Sequence, residues 1–226
     1  AALSLQQQLL SQATLADTLL VIVPRHPERF DAVAELIQKT GLNMARRSDG
    51  DVIDADTQVY LADSMGEMMT WYTLANVAFV GGSLVDIGGH NPVEPASVAT
   101  PVLMGRYTQS CQSVIDKLAS VGALYQPSND FYCQIESNRA SSTDAQIVSD
   151  DQLKANKKTS RKETVYNRED AVSIYTQLAT WLRNLPLAAQ AGQAGEQMTI
   201  QQQAVLTRQF AMIEDAIELS SNQDNL

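Results

Sequence analysis

Short apolar runs alternate with amphipathic stretches along most of the first 127 residues. Residues 18–23 (TLLVIV) form a continuous apolar run closed by Pro24, which predicts a strand buried on both faces. Before it, residues 3–16 set Leu5, Leu9 and Leu10 among glutamines and predict a helix. After it, Pro27 suits the first turn of a helix whose apolar face is Phe30, Val33, Ala34 and Ile37, with Gly41 ending it at C′. Residues 42–46 and 58–61 predict short strands around a polar turn at 48–57. Residues 66–74 predict a helix with Met65, Met68, Met69 and Tyr72 on one face, a stripe that reads as core packing rather than a cofactor contact. Three further strands are predicted at 77–80, 101–104 and 123–126, with a helix over 110–120 capped by Thr108 and stopped before Gly122.

Strands and helices in this alternation imply a Rossmann-like α/β fold, a parallel sheet with helices on both faces. Ligands of such sheets bind beyond the carboxyl ends of the strands. Three loops qualify: 24–27, 81–91 and 105–108. From Pro127 onward the pattern changes. Residues 1–127 read as the core and 128–163 as a polar, mobile insertion with the basic cluster Lys157, Lys158, Arg161 and Lys162. Residues 164–226 read as C-terminal helices packing on the same domain, with 189–195 as a flexible joint.

Composition narrows the function classes. With 44% hydrophobic residues the chain can build a real core, and its formal charge of −10 argues against a general nucleic-acid or anionic-membrane binder. Two cysteines (Cys111, Cys133) and two distant histidines (His26, His90) support neither a disulfide framework nor a metal site. No apolar run reaches the ~18 residues of a membrane span. The chain starts at Ala1 with no methionine, inside a predicted helix, and so reads as part of a longer protein.

The candidate chemistry gathers in residues 77–100. An apolar run stops at Gly81 and Gly82, a loop carries a second pair, Gly88 and Gly89, and His90-Asn91-Pro92-Val93-Glu94 opens an apolar helix. Asn91 suits the N-cap, Pro92 the first helical position, and Glu94 lies three residues past the cap. Glycines admit a ligand close to the backbone, and a helix start favours a phosphate or carboxylate. Glu94 has two competing readings, the N3 member of a capping box or the acceptor for a ribose diol. His90 either donates to an anionic group or fixes its own loop. Arg25, beside His26 in the strand-to-helix turn, either holds phosphate or carboxylate or forms a surface pair with Glu28 or Asp31. Arg106 and Tyr107 are weaker candidates of the same kind, and Asp86 reads as a turn residue. Ser83 lies outside any nucleophile-elbow pattern, and neither a P-loop nor a GxGxxG occurs. The common hydrolase, P-loop and nicotinamide readings are thereby removed.

The segments VPRHPERF, FVGGSL, GGHNPVEPA and PVLMG, in this order, closely resemble the bacterial Kdo transferases, which add 3-deoxy-D-manno-octulosonic acid (Kdo) to lipid A precursors. The resemblance runs through residues 19–126 and returns loosely in the last helices. It implies the C-terminal half of a GT-B glycosyltransferase, binding the donor substrate CMP-Kdo without cofactor or metal. Residue by residue it implies that Arg25, next to His26, holds donor charge and that Gly81, Gly82 and Ser83 cradle phosphate. The helix start at Asn91 shares that phosphate, Gly88, Gly89 and His90 complete the loop, and Glu94 binds the ribose of CMP. The family's catalytic base belongs to an N-terminal motif with no counterpart here, so no catalytic residue is expected and the fragment should bind donor without turnover. The family's first C-terminal-domain strand has no counterpart either, and residues 128–162 run longer than its pattern. The full enzyme would work at the cytoplasmic side of the bacterial inner membrane on a lipid A precursor, with membrane contact only through the missing half and no nucleic acid involved. Two other readings remain open: a different GT-B enzyme or sugar-nucleotide epimerase, separable by nucleotide preference, and a non-catalytic interaction module using the C-terminal helices.

Overall fold

The computed structural model describes residues 2–127 and 168–223. The predicted polar insertion and its basic cluster lie outside them. In order the elements are α1 (Ala2–Leu10), β1 (Leu20–Ile22), α2 (Phe30–Gln38), β2 (Met44–Arg46), β3 (Val59–Leu61), α3 (Met68–Leu74) and β4 (Ala78–Phe79). There follow α4 (Val93–Ala96), β5 (Val102–Leu103), α5 (Gln112–Ser120), β6 (Leu124–Tyr125), α6 (Arg168–Arg183) and α7 (Leu185–Gln223). Single 3-10 turns at Ala13–Leu15 and Pro27–Arg29 precede β1 and α2.

The fold is α/β with parallel strands. They form two three-stranded sheets, ordered β1-β3-β2 and β4-β5-β6. In the first sheet, Leu20, Ile22, Val59 and Leu61 face α1 and α2, where Leu3, Val33, Ala34 and Ile37 cover them. The opposite face carries Leu19, Val23, Ala45 and Tyr60, closed by Trp71 of α3, whose ring lies 5.4 Å from that of Tyr60. In the second sheet Val80, Val102, Met104 and Leu124 pack under Ala96 of α4, Ile115 and Leu118 of α5 and Met198 of α7. Leu103, on the other face, meets Ile174 and Trp181 of α6 and Ala188 and Ala191 of α7. Each fully buried aliphatic side chain contributes roughly 2 kcal/mol, so these four layers hold the strands although each is only two or three residues long.

Several contacts among the described residues join the halves. The Thr100 hydroxyl donates to the Tyr72 carbonyl at 2.6 Å, Leu9 and Leu15 pack on Ala179, and Gln12 bonds Tyr175 and Arg183. No helix among the described residues is long and apolar enough to cross a membrane.

Several expectations change. The strand at 18–23 is not buried on both faces. Val21 is 36% exposed because β1 pairs only with β3, and Phe79 of β4 is 37% exposed for the same reason. The methionine stripe is not core: Met65 is 63% and Met69 41% exposed, because α3 turns Trp71 rather than the methionines toward the sheet. The predicted joint at 189–195 is continuous helix within α7. Its glycines permit contact instead, since a Cβ on Gly192 would stand 1.8 Å from the Ala99 carbonyl oxygen and one on Gly195 3.0 Å from Ala123 Cβ.

Candidate functional site

The glycine loop leaves the end of β4 and is closed by its own backbone. Gly89 N–H donates to Gly82 O at 3.0 Å and His90 N–H to Gly81 O at 3.1 Å, so 82–89 hang from a two-bond neck. Gly82 (φ 74°) and Gly89 (φ 74°) occupy the left-handed region that favours glycine. The His90 ring lies against Gly82, where a Cβ would come within 3.2 Å of it. The loop therefore presents His90 at its mouth, with the imidazole exposed.

The loop is also tied to the segment after β5. The fully buried Ser83 hydroxyl donates to Val80 O and accepts from Gly105 N–H, both at 2.8 Å. Ser83 is thus a pin that holds the loop rather than a group exposed to a ligand. Gly105 is required beside it, because a Cβ there would sit 2.2 Å from Ser83 O. Tyr107 N–H donates to Ser83 O at 3.0 Å, the Ser110 hydroxyl bonds Gly88 O, and Gln109 donates to Asp86 at 3.0 Å. The amides of Gly89 and His90 are committed to the neck and are not offered to an anion.

Asn91 lies one position before the cap it was expected to fill, because the helix begins at Val93 with Pro92 as N-cap; its Oδ1 still accepts from Val93 N–H at 3.0 Å. The helix itself is shorter than expected. α4 is one turn, ended where Ala99 takes φ 57° and Thr100 N–H returns to Pro95 O at 3.0 Å. With so few aligned peptides its dipole is small. The capping-box reading of Glu94 is not realised: the exposed carboxylate makes no hydrogen bond or ion pair among the described residues. It stands open at the loop mouth, its charge acting on Tyr72 of α3.

Arg25 and His26 lie in the exposed turn after β1. The surface pairs weighed for Arg25 do not form, because Asp31 is taken by Arg46 at 2.7 Å and Glu28 stands 3.7 Å from His26. Among the described residues Arg25 has no ion-pair partner, so a ligand need not displace one. No hydrogen bond joins this turn to the glycine loop. Arg106 is not a free cation for a ligand: its guanidinium is bidentate on the buried Asp170 of α6 (Nε at 2.7 Å), fastening that helix to the end of β5.

Two groups escaped the sequence reading. Asp63, just past β3, is buried and receives Arg46 Nε at 2.5 Å, the Ser48 hydroxyl at 2.7 Å and Ser48 N–H at 2.9 Å. It ties the ends of β2 and β3 together. Tyr72 was read as core on the strength of its methionine neighbours, yet its ring is half-buried and its phenol unbonded. No cluster of three or more His, Cys, Asp or Glu side chains suited to a metal occurs among the described residues.

The glycine loop and the helix start after it carry an exposed imidazole and an unpaired carboxylate, and the turn after β1 carries an unpaired guanidinium on the other sheet, groups suited to a ligand with both anionic and hydroxyl groups. No protein-family model matches the chain. A 3-deoxy-D-manno-octulosonic acid transferase of Haemophilus influenzae is 46% identical over 109 residues, 48% of this chain and 26% of the relative. Its counterpart in Bordetella pertussis is 40% identical over 111 residues, with the same shares. The chain thus spans about a quarter of the length of these relatives. The crystal structure of the C-terminal CMP-Kdo binding domain of WaaA from Acinetobacter baumannii superposes with a TM-score of 0.58 at 30% identity, covering 85% of this chain and 80% of that one. With a relative matched over four-fifths of its length at that identity, the chain belongs to the Kdo transferase family, as its C-terminal domain.

Proposed function

We propose that this chain is the donor-binding domain of a Kdo transferase and holds CMP-Kdo against the glycine loop after β4. The observation that carries the reading is Glu94. Its carboxylate stands exposed beside the loop without a hydrogen-bond partner, as a ribose acceptor requires and a capping residue does not. Gly81, Gly82, Gly88 and Gly89 let the nucleotide approach the backbone, His90 and Arg25 supply donors for phosphate or the Kdo carboxylate, and Asn91 orders the turn that presents Glu94. The one-turn α4 adds little field, so the charge of the phosphate falls mainly to Arg25.

In the whole enzyme a hydroxyl of a lipid A precursor attacks the anomeric carbon of Kdo, the bond from that carbon to the CMP oxygen breaks, and CMP leaves with inversion. The hydroxyl proton passes to a base on another domain. This chain alone therefore binds donor without turnover, and the enzyme acts at the cytoplasmic face of the inner membrane in lipopolysaccharide synthesis. The domain named for CMP-Kdo binding in the Acinetobacter relative supports the choice of nucleotide.

Calorimetric titration with CMP, UDP and GDP tests this. CMP binds best, and Arg25→Ala and Glu94→Ala each weaken it about tenfold or more, the scale of one charge-assisted hydrogen bond. A preference for UDP, or CMP binding indifferent to both substitutions, overturns the assignment.

A further inference from the structure

Strands β4, β5 and β6 lie side by side, and a continuous run of hydrogen bonds crosses just beyond their carboxyl ends. It starts at Gln126, one residue past β6, whose Nε2 donates to Gly105 O at 2.9 Å and to Thr108 Oγ1 at 2.8 Å. Gly105 N–H then donates to Ser83 Oγ, and the Ser83 hydroxyl to Val80 O, both at 2.8 Å. Thr108 passes its own proton to Gln112 Oε1 of α5 at 2.7 Å. Gly105, Ser83 and Thr108 thus each accept from one side and donate to the other, and bonds chained in this way polarise and strengthen one another. Ser83 and Thr108 are fully buried and Gln126 is half-buried, so losing the Gln126 amide leaves acceptors unmatched where solvent is scarce.

The two groups that Gln126 holds bracket the turn from which the glycine loop is suspended. Tyr107 N–H holds Ser83 O at 3.0 Å, Gln109 holds Asp86 at 3.0 Å and the Ser110 hydroxyl holds Gly88 O. A shift of this turn therefore moves positions 83, 86 and 88 together, whereas the neck at Gly89 and His90 fixes the base of the loop alone. Arg106 ties the same turn to Asp170 of α6 through a long side chain, while Gln126 grips its backbone at Gly105 O.

We propose that Gln126 is a positioning residue of the nucleotide site: its amide fixes the 105–108 turn in the placement that suspends the glycine loop, and sets nucleotide affinity through Gly105 and Ser83. The role rests on the donor-binding reading above and adds the part that keeps the loop in shape before ligand arrives. Backbone already in place spares the ligand the cost of ordering it.

The test joins calorimetric titration with CMP to amide exchange, on the 226-residue chain and its Gln126→Leu, Thr108→Val and Thr108→Ser variants. Gln126→Leu keeps the bulk and loses both bonds, weakening CMP about tenfold; Thr108→Val loses one and weakens it about threefold, the scale of net single hydrogen bonds. Thr108→Ser keeps the hydroxyl and recovers most of the Thr108→Val loss. In Gln126→Leu the Gly105 and Tyr107 amides, which bond Ser83, exchange faster than in the parent. The Val102 amide, bonded to Ala123 O inside the sheet, keeps its protection. A part in stability alone would speed Val102 equally. Should Gln126→Leu fail to fold, the Thr108→Val and Thr108→Ser pair decides by the same two readings. CMP binding equal to the parent's, or a loss with Val102 exposed as much as Gly105 and Tyr107, overturns the positioning role and leaves the donor site standing on the parent's own affinity. If the parent binds no CMP, the donor-site reading fails and the positioning role falls with it.

Discussion

Asp63 shows how one buried charge is tolerated. Burial pushes its carboxyl up, but the hydrogen bonds from Arg46 and Ser48 prevail and leave it below the ordinary carboxylate value. Arg46 is in turn held above its own ordinary value by Asp63 and then Asp31. A carboxyl whose folded pKa lies below its unfolded one adds stability that is fully present above about pH 4 and is lost as pH falls through the folded value. Removing one member of a buried pair costs about 3–5 kcal/mol, because the partner is left uncompensated. Here Arg46 keeps Asp31, which favours the lower end. Urea unfolding should accordingly show Asp63→Ala less stable by about 3 kcal/mol at pH 7. Asp63→Asn should lose less stability than the parent between pH 5 and pH 2, and parallel pH curves for the two proteins would remove Asp63 from the account.

At the scale of elements, Gly192 sets two expectations against each other. A glycine inside an exposed helix is a weak point, and alanine there stabilises by about 1 kcal/mol. In α7 the same change drives a methyl to 1.8 Å from the Ala99 carbonyl oxygen, a backbone atom that cannot swing aside. Overpacking of this kind costs typically 1–3 kcal/mol and more against rigid backbone. Gly192→Ala should lower the melting temperature, with Gly195→Ala milder because its nearest neighbour, Ala123 Cβ, would stand 3.0 Å away rather than 1.8 Å. A raised melting temperature for Gly192→Ala would mean that α7 does not cross α4 this closely. The example marks what could be read from the chain. Apolar runs at 18–23, 77–80 and 101–104 were legible because a strand's own residues carry its pattern, and the helix start near Asn91 was legible to within one residue because capping is local. The glycines of α7 were not, since a glycine looks the same whether it bends a chain or admits a neighbour. Nor were Ser83 and Arg106, whose partners, Gly105 and Asp170, lie 22 and 64 positions away.

For the whole molecule, the least legible feature is that six parallel strands form two sheets rather than one. Leu20 N–H donates to Gln58 O, and Ala62 N–H donates to Ile22 O, so Leu20 and Ile22 turn their peptide groups toward β3 and Val21 turns its own away. Ala78 and Val80 donate to Pro101 O and Leu103 O, which leaves Phe79 turned away from β5 in the same fashion. Periodicity along a strand reports which face is buried and is silent about which edge is paired. Amide exchange reads edges directly, because protection follows the cost of opening each bond. The central strands β3 and β5, paired on both sides, should exchange slowest, with Tyr60 and Leu103 among the last amides. Val21 and Phe79 should exchange fastest within their strands while Ile22 and Val80 stay protected, an alternation that loop motion cannot produce. Protection of Val21 and Phe79 equal to that of Tyr60 and Leu103 would show both edges to be paired in solution, and the two-sheet arrangement would have to be abandoned.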